Sequence, residues 1–492
     1  MARMEDFGMS GHHFRLRRLP LFAASLLFLQ SGCSFAPEHV RPALPVPDAY
    51  AAQESTAPAV ARIGWHEFFR EPQLQALIGE ALVHNRDIHI ATGRLAEARA
   101  AWRIEGSTLY PQLDAVVTGT RGRTPADLSL SGQPITSNQI YAQLSAGWEI
   151  DLWGRLRNLR DAARAQYLAT EETRRAVATD LIAQVANGYL LEREYEQRVA
   201  IATRTITTRE ESLRIMRRRY EVGSGSKLEM AQAQTLLAQA QTALQALVQD
   251  REVNRNALAL LVGHPVEIAP GPLGLIEAAP DVALPAGLPS EMLVNRPDIV
   301  AAEYALRAAT ANIGAARAAF FPSISLTGAF GTASSELDGL FKDGSRAWSF
   351  TPTVSLPIFN AGQLKGNLDV AKARRDIAVA DYERTVQSAF RDVSDALVRR
   401  RQLGLQIDSM RTMLDALRER ARLAQMRFDN GRSAYLEVLD AQRDLFDTEQ
   451  TLVQLRRAEL ASGIALYAAL GGGFVASPAF DIDAPQIGNQ DQ

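Results

Sequence analysis

Residues 140–153 read Ile-Tyr-Ala-Gln-Leu-Ser-Ala-Gly-Trp-Glu-Ile-Asp-Leu-Trp, and their period is two. Ala142, Leu144, Ala146, Trp148, Ile150 and Leu152 fall on one side; Tyr141, Gln143, Ser145, Gly147, Glu149 and Asp151 fall on the other. Successive side chains of an extended chain point to opposite faces, so this spacing predicts a strand with one apolar and one polar face. The same alternation marks Ser323 to Phe330 and Trp348 to Ile358, and a weaker form covers Leu113 to Thr120. Two structures share the pattern. One is the wall of a membrane barrel, apolar outward and polar inward with aromatics near the strand ends; the other is a half-exposed soluble sheet.

Between the strand pairs the period changes to that of a helix. Helical spacing runs from about Glu71 to Ser107, where Tyr110-Pro111 stops it. Much longer runs without proline cover about Gly154 to Arg219 and Lys227 to Leu261, then Gly362 to Arg427 and Ala434 to Leu470. A helix from Gly154 to Arg219 would be about 100 Å long at about 1.5 Å per residue. That is several times the size of a compact domain, so these helices must pack side by side as hairpins.

The two halves of the chain repeat one another. Arg219-Tyr220-Glu221-Val222-Gly223 corresponds to Arg427-Phe428-Asp429-Asn430-Gly431, an offset of 431 − 223 = 208. The same offset relates Leu228-Glu229 to Leu436-Glu437, Asp161 to Asp369 and Gly154 to Gly362. Asn85-Arg86-Asp87-Ile88 is echoed by Asn295-Arg296-Pro297-Asp298-Ile299. Each repeat is therefore helix, strand, strand, long helix, turn, long helix. The expected segments are a signal at 1–32, an extended proline-rich stretch at 33–70 and a first repeat at 71–283 with its tip at 220–227. A second repeat follows at 284–473 with its tip at 428–435, then a tail at 474–492.

Composition narrows the function class. Hydrophobic residues make up 47% and charged residues 22%, which suits a folded chain rather than a disordered one. A formal charge of −3 gives no reason to expect nucleic acid as a partner. The 7 His residues show no metal-ligand spacing, and no cofactor is expected. Gly223-Ser-Gly-Ser-Lys227 lacks the spacing of a phosphate loop and follows a helix where that loop needs a strand. No enzymatic constellation emerges.

The single cysteine carries more information. Arg15, Arg17 and Arg18 precede a short apolar run at 19–29, and Gly32 stands directly before Cys33. This fits either a plain signal peptide or bacterial lipoprotein processing, in which Cys33 becomes the acylated first residue. Ser34, rather than Asp, after the cysteine favours the outer membrane. Beyond that leader no run of about 18 apolar residues occurs. A membrane-spanning chain must then be a closed barrel, because only closure satisfies every backbone group in lipid. Two strands per repeat give four per chain, too few to close a barrel. Several copies must combine, and three would supply a twelve-stranded wall with a lumen.

The chain resembles the TolC/OprM-type outer membrane factors, in particular their lipoprotein, NodT-like branch. The resemblance rests on Cys33-Ser-Phe-Ala-Pro37 with Arg41-Pro42 behind it, Trp65-His-Glu-Phe-Phe69, Asn295-Arg-Pro-Asp-Ile299 and the run from Ala315 through Phe320-Phe-Pro-Ser-Ile-Ser-Leu-Thr-Gly328. It implies a mixed α/β membrane protein: a homotrimer whose twelve-stranded β-barrel continues into a long periplasmic α-helical barrel. It implies passive efflux conduction, with a periplasmic adaptor and an inner-membrane RND pump as partners and outer-membrane lipid around the barrel. By the same resemblance, Gly223, Gly431, Arg432 and Ser433 sit at tips where the adaptor docks. Glu229, Glu437 and Asp440 would face the pore as a gate that favours cations, and Glu149 and Asp151 would add acid to the barrel lumen. The alternative is a lipid-anchored periplasmic coiled-coil scaffold or adaptor protein with a soluble sheet.

Overall fold

The computed structural model describes residues 34–43, 45–47, 63–271 and 292–472. They fall into two compact units, one built from 34–39, 100–164 and 307–375, the other from the remaining described residues between 40 and 99, 165 and 306, and 376 and 472.

The first unit holds a single antiparallel sheet. Its strands are β1 (Gln112–Thr124), β2 (Ile135–Ile150), β3 (Ser323–Ser334) and β4 (Arg346–Ser355), in the order β1-β2-β3-β4. The register puts like with like. Leu113 faces Ala146, Leu144 faces Phe330, Trp148 faces Leu326, and Phe330 faces Trp348. Directly opposed residues of antiparallel strands share a face, so these pairs make one apolar surface across all four strands. The other surface is mainly polar: Asp114 faces Ser145, Thr118 faces Tyr141, Ser325 faces Thr353 and Thr327 faces Thr351, with Val116 opposite Gln143 and Ala329 between Ser145 and Ser349. A slip of one residue would have mixed the two sets. Val117, Phe330, Trp348, Phe350 and Val354 on the apolar surface remain more than half exposed in the single chain, and β1 and β4 leave both sheet edges open.

The second unit is helical. Short helices α1 (Trp65–Phe68) and α2 (Pro72–His84) precede α3 (Arg86–Ser107), which leads to β1. Two long hairpins follow their strand pairs: α4 (Arg155–Glu221) with α5 (Lys227–Val262), and α8 (Gln363–Asp429) with α9 (Tyr435–Ala469). Between them lie α6 (Met292–Asn295) and α7 (Pro297–Ala318). Both long first arms contain 67 residues, and they begin 363 − 155 = 208 residues apart, the offset read from the sequence. No helix among the described residues is long and apolar enough to cross a membrane.

The main core joins both hairpins to α1 and α2. Ala178, Leu181, Ile182, Val185, Ala186 and Tyr189 recur at the three-and-four spacing of one helix face, as do Tyr382, Val386, Ala389, Val393 and Ala396. Small residues let the helices approach closely: a Cβ on Gly188 would lie 2.6 Å from the Leu258 side chain.

Two expectations change. The helix foreseen from Glu71 to Ser107 is two helices, because Asn85 adopts an extended conformation between them. Its side chain accepts from the Asp87 and Ile88 amides at 2.8 and 3.2 Å, capping α3, while its Nδ2 donates to the Leu261 carbonyl at 2.8 Å. The strands also differ in extent: β2 starts at Ile135, before the alternation becomes legible, and β4 ends at Ser355, short of Ile358. Cys33, the leader at 1–32, the repeat boundary at 283–284 and the tail at 474–492 lie outside the described residues.

Candidate functional site: hairpin tips and sheet face

Each hairpin turns through the same device. At the first tip the Gly223 amide donates to the Tyr220 carbonyl at 3.0 Å and the Ser224 amide to the Arg219 carbonyl at 2.8 Å. At the second, Gly431 donates to Phe428 at 2.9 Å and Arg432 to Arg427 at 2.8 Å. These paired bonds satisfy carbonyls that a helix end leaves open, and they require a left-handed residue. Gly223 and Gly431 supply it, with φ of 72° and 71°. A Cβ at either would meet nothing within 4 Å, so backbone conformation alone selects glycine there.

The following helices start differently. Ser226 caps α5 through a reciprocal pair: its Oγ accepts from the Glu229 amide at 3.1 Å, and the Glu229 carboxylate accepts from the Ser226 amide at 3.0 Å. In the second repeat Ala434 occupies the capping position and offers no side-chain oxygen. Glu437 is therefore free of a capping role, and its carboxylate lies 3.7 Å from Arg427 on the other arm. Asp440, one turn on, pairs with Arg443 at 3.3 Å. The Glu437 and Asp440 side chains remain 50% and 39% exposed, so both can still meet a solute. Arg432 is exposed beside the turn, whereas the Ser433 hydroxyl is buried without a partner among the described residues.

A small core sits behind these tips. Met216, Ala233, Leu236, Ala424, Phe428, Tyr435, Val438, Leu439 and Ala441 pack together from all four long helices. Phe428 and Tyr435 lie 5.0 Å apart between ring centres, and the Arg219 guanidinium stacks 5.0 Å over Phe428. Arg209 is buried further up, donating to the Leu236 carbonyl at 2.7 Å and lying over Phe446. Burial pushes its pKa below the usual guanidinium value. Sequence reading missed Arg427, Arg443 and Arg209. The three-residue spacing of Asp440 and Arg443 on one helix was the available signal for one of them.

The acidic pair near the end of β2 is engaged locally. Glu149 holds Arg155 through two oxygens at 2.8 to 3.2 Å. Asp151 accepts from the amides of Leu156 and Arg157 at 3.1 and 2.9 Å, capping the start of α4, and pairs with the Arg157 side chain. The resemblance implies that these carboxylates face the lumen; in the fold each also pairs with a neighbouring arginine. Beside them the residues after Cys33 are tethered: Phe35 stacks on Phe321 at 4.6 Å, and Ser34 Oγ donates to Asn158 at 3.0 Å.

Comparison with known proteins gives the same reading. The model of the outer membrane efflux protein family matches residues 77–264 and 288–472, one stretch per repeat. The solvent efflux pump outer membrane protein SrpC of Pseudomonas putida is 42% identical over 476 residues, covering 94% of this chain and 99% of SrpC. The cation efflux system protein CusC of Escherichia coli is 40% identical over 448 residues, covering 90% of this chain and 96% of CusC. The open-state outer membrane channel MtrE of Neisseria gonorrhoeae superposes with a TM-score of 0.80 at 38% identity, over 90% of this chain and 98% of MtrE. The structural neighbours are trimeric channels, which supplies partners for the two open sheet edges. With both repeats matched and relatives covered almost end to end, the chain belongs to the outer membrane efflux protein family, as an outer-membrane channel component with four strands of a shared barrel.

Proposed function

We propose that the chain is the passive exit duct of a tripartite efflux system, with its hairpin tips received by a periplasmic adaptor and its cargo delivered by an inner-membrane RND pump. One observation carries the reading: across all four strands, away from the loop ends, the register gathers the large apolar side chains on one surface and polar or small ones on the other, with Val116 the exception. A soluble sheet would cover its apolar side with a core, whereas Val117, Phe330, Trp348 and Phe350 stay exposed, as a lipid-facing wall requires. The polar surface then lines the lumen, a conduit without catalytic groups. SrpC is named for solvents and CusC for cations, at nearly equal identity to this chain. One duct design thus serves unlike cargo, and selection rests with the pump.

Glu437 and Asp440 are the gate carboxylates of this reading, repeated in three copies around the pore, with Glu229 adding a capped and less mobile ring. Gly223, Gly431, Arg432 and Ser433 form the docking turns. Cys33 carries the lipid anchor, a role supported by the tethering of Ser34 and Phe35 beside the sheet. Purified protein reconstituted in planar bilayers tests the proposal. A detergent-stable trimer should conduct, and replacing Glu437 with Gln and Asp440 with Asn together should shift its reversal potential toward lower cation selectivity. A monomer extracted by carbonate, without conductance, would sink the duct; unchanged selectivity would remove the two acids from the pore.

A further inference from the structure

The apolar surface of the sheet stops being apolar at one end. The strand hairpins turn at 125–134 and 335–345, whereas the opposite strand ends lead into helices. With those helices periplasmic, the turns face the exterior. Toward the turns, Arg121 opposes Asn138, Arg123 opposes Thr136, and Thr332 opposes Arg346. By strand parity Arg121 and Arg123 lie on the side of Leu113, Ala115 and Val117, and Arg346 on the side of Trp348 and Phe350. Three guanidinium groups therefore sit on the outward side, at the loop ends of the two edge strands. Water in the lumen would solvate a charge placed one residue away, at Thr120, Gly122 or Ala347.

All three arginines are exposed and have no carboxylate partner among the described residues, where half of the arginines form an ion pair with a carboxylate. The turns also carry Asp127, Glu336, Asp338 and Asp343, none of them paired with these arginines, and Asp338 is held by Lys342 at 2.9 Å. Trp348 lies two residues inward of Arg346 and is 77% exposed, the position of an interfacial aromatic girdle. The arginines therefore fall just beyond the hydrocarbon edge, at headgroup level. In the closed trimer β4 of one copy meets β1 of the next, so Arg346 of one chain and Arg121 and Arg123 of its neighbour converge on each seam.

We infer that each seam of the outer rim binds the phosphates of an outer-leaflet phosphorylated glycolipid. Guanidinium groups grip phosphate through paired N–H donors, and the exposed apolar strands beneath take the acyl chains. The inference rests on the barrel placement proposed above, and its test separates the two.

Full-length trimer is incorporated into phosphatidylcholine vesicles containing diphosphoryl lipid A or its dephosphorylated form, and lipid retained by the repurified trimer is measured by mass spectrometry. Wild type should retain the diphosphoryl form. The triple variant R121Q/R123Q/R346Q should retain about tenfold less or lower, with trimer and bilayer conductance intact. The charge-preserving R121K/R123K/R346K should recover retention in part, clearly above the Gln variant, because an ammonium meets phosphate as a point charge without paired donors; this guards against a misfolded Gln variant. Equal retention by wild type and the Gln variant, equal retention of the dephosphorylated lipid, or failure of the Lys variant to recover would overturn the site. Displacement of the lipid by millimolar inorganic phosphate would assign the arginines to free phosphate and also overturn it. Loss of conductance in wild type would instead strike at the duct.

Discussion

Ser226 and Glu229 cap one another at the first tip, each accepting the other's backbone amide, at 3.1 and 3.0 Å. The same carboxylate thus holds a helix start and stands where a gate acid is expected. A neutral amide can still accept the Ser226 amide, so Glu229→Gln should melt close to wild type. Glu229→Ala removes half of the box and should cost about 1 kcal/mol. Thermal unfolding of the detergent-solubilised trimer checks both.

At the tip glycines the expected cost is conformational rather than steric, since a Cβ at Gly223 or Gly431 would touch nothing. Ala at either position should destabilise by about 1–2 kcal/mol, because a left-handed φ is unfavourable for a side chain. Asn tolerates that conformation better and should lose less. A clear melting difference between Gly431→Ala and Gly431→Asn is the readout. Equal melting would mean the turn relaxes to another shape.

Glu192 is fully buried and accepts from Arg251 at 2.8 Å and from Arg255 at 2.9 and 3.0 Å. These contacts tie the two arms of the first hairpin together midway along α4. The hydrogen bond to Glu192 leads the causes that push the Arg255 pKa above its usual value. Glu192→Gln should destabilise by about 3 kcal/mol, the low end for breaking a buried pair, since both arginines reach solvent. Chemical unfolding of Glu192→Gln beside an exposed control, Glu211→Gln, measures it.

Glu172 predicts a pH dependence. Burial raises its pKa above the ordinary 4.5, only partly offset by the Arg175 guanidinium 2.9 Å away. A raised carboxyl binds more protons folded than unfolded, so its contribution to stability falls as pH rises through and above 4.5. Glu172→Gln keeps the neutral form at every pH. Its melting temperature should match wild type near pH 4 and gain on wild type toward pH 7. A gain in the opposite direction would mean the Arg175 pair outweighs burial.

Much of this fold is legible in single residues. Two unlike periods, two and about 3.6, cannot be satisfied by one element, so strand pairs and long helices separate in the sequence itself. The offset of 208 fixed the repeat, and the α4 and α8 boundaries reproduce it at both ends. Gly223 and Gly431 were legible as turns because glycine alone adopts that conformation freely. Asn85 was not legible as a break: its capping of α3 depends on a partner at Leu261, far along the chain.

The candidate site divides in the same way. That Glu229, Glu437 and Asp440 follow the tips is a matter of spacing, and the sequence determined it alone, together with the alternation that makes a two-faced wall. Which carboxylate is capped, which is paired and which is left to the solvent was decided only by tertiary structure. Ser226 replaced by Ala434 at the second tip frees Glu437, and Arg427 approaches it from the opposite arm. Glu149 and Asp151 met Arg155 and Arg157 because the chain turns from strand into helix there. Periodicity is local and survives in one dimension. Charge pairing depends on distances of a few ångströms between segments, and those exist only once the chain has folded.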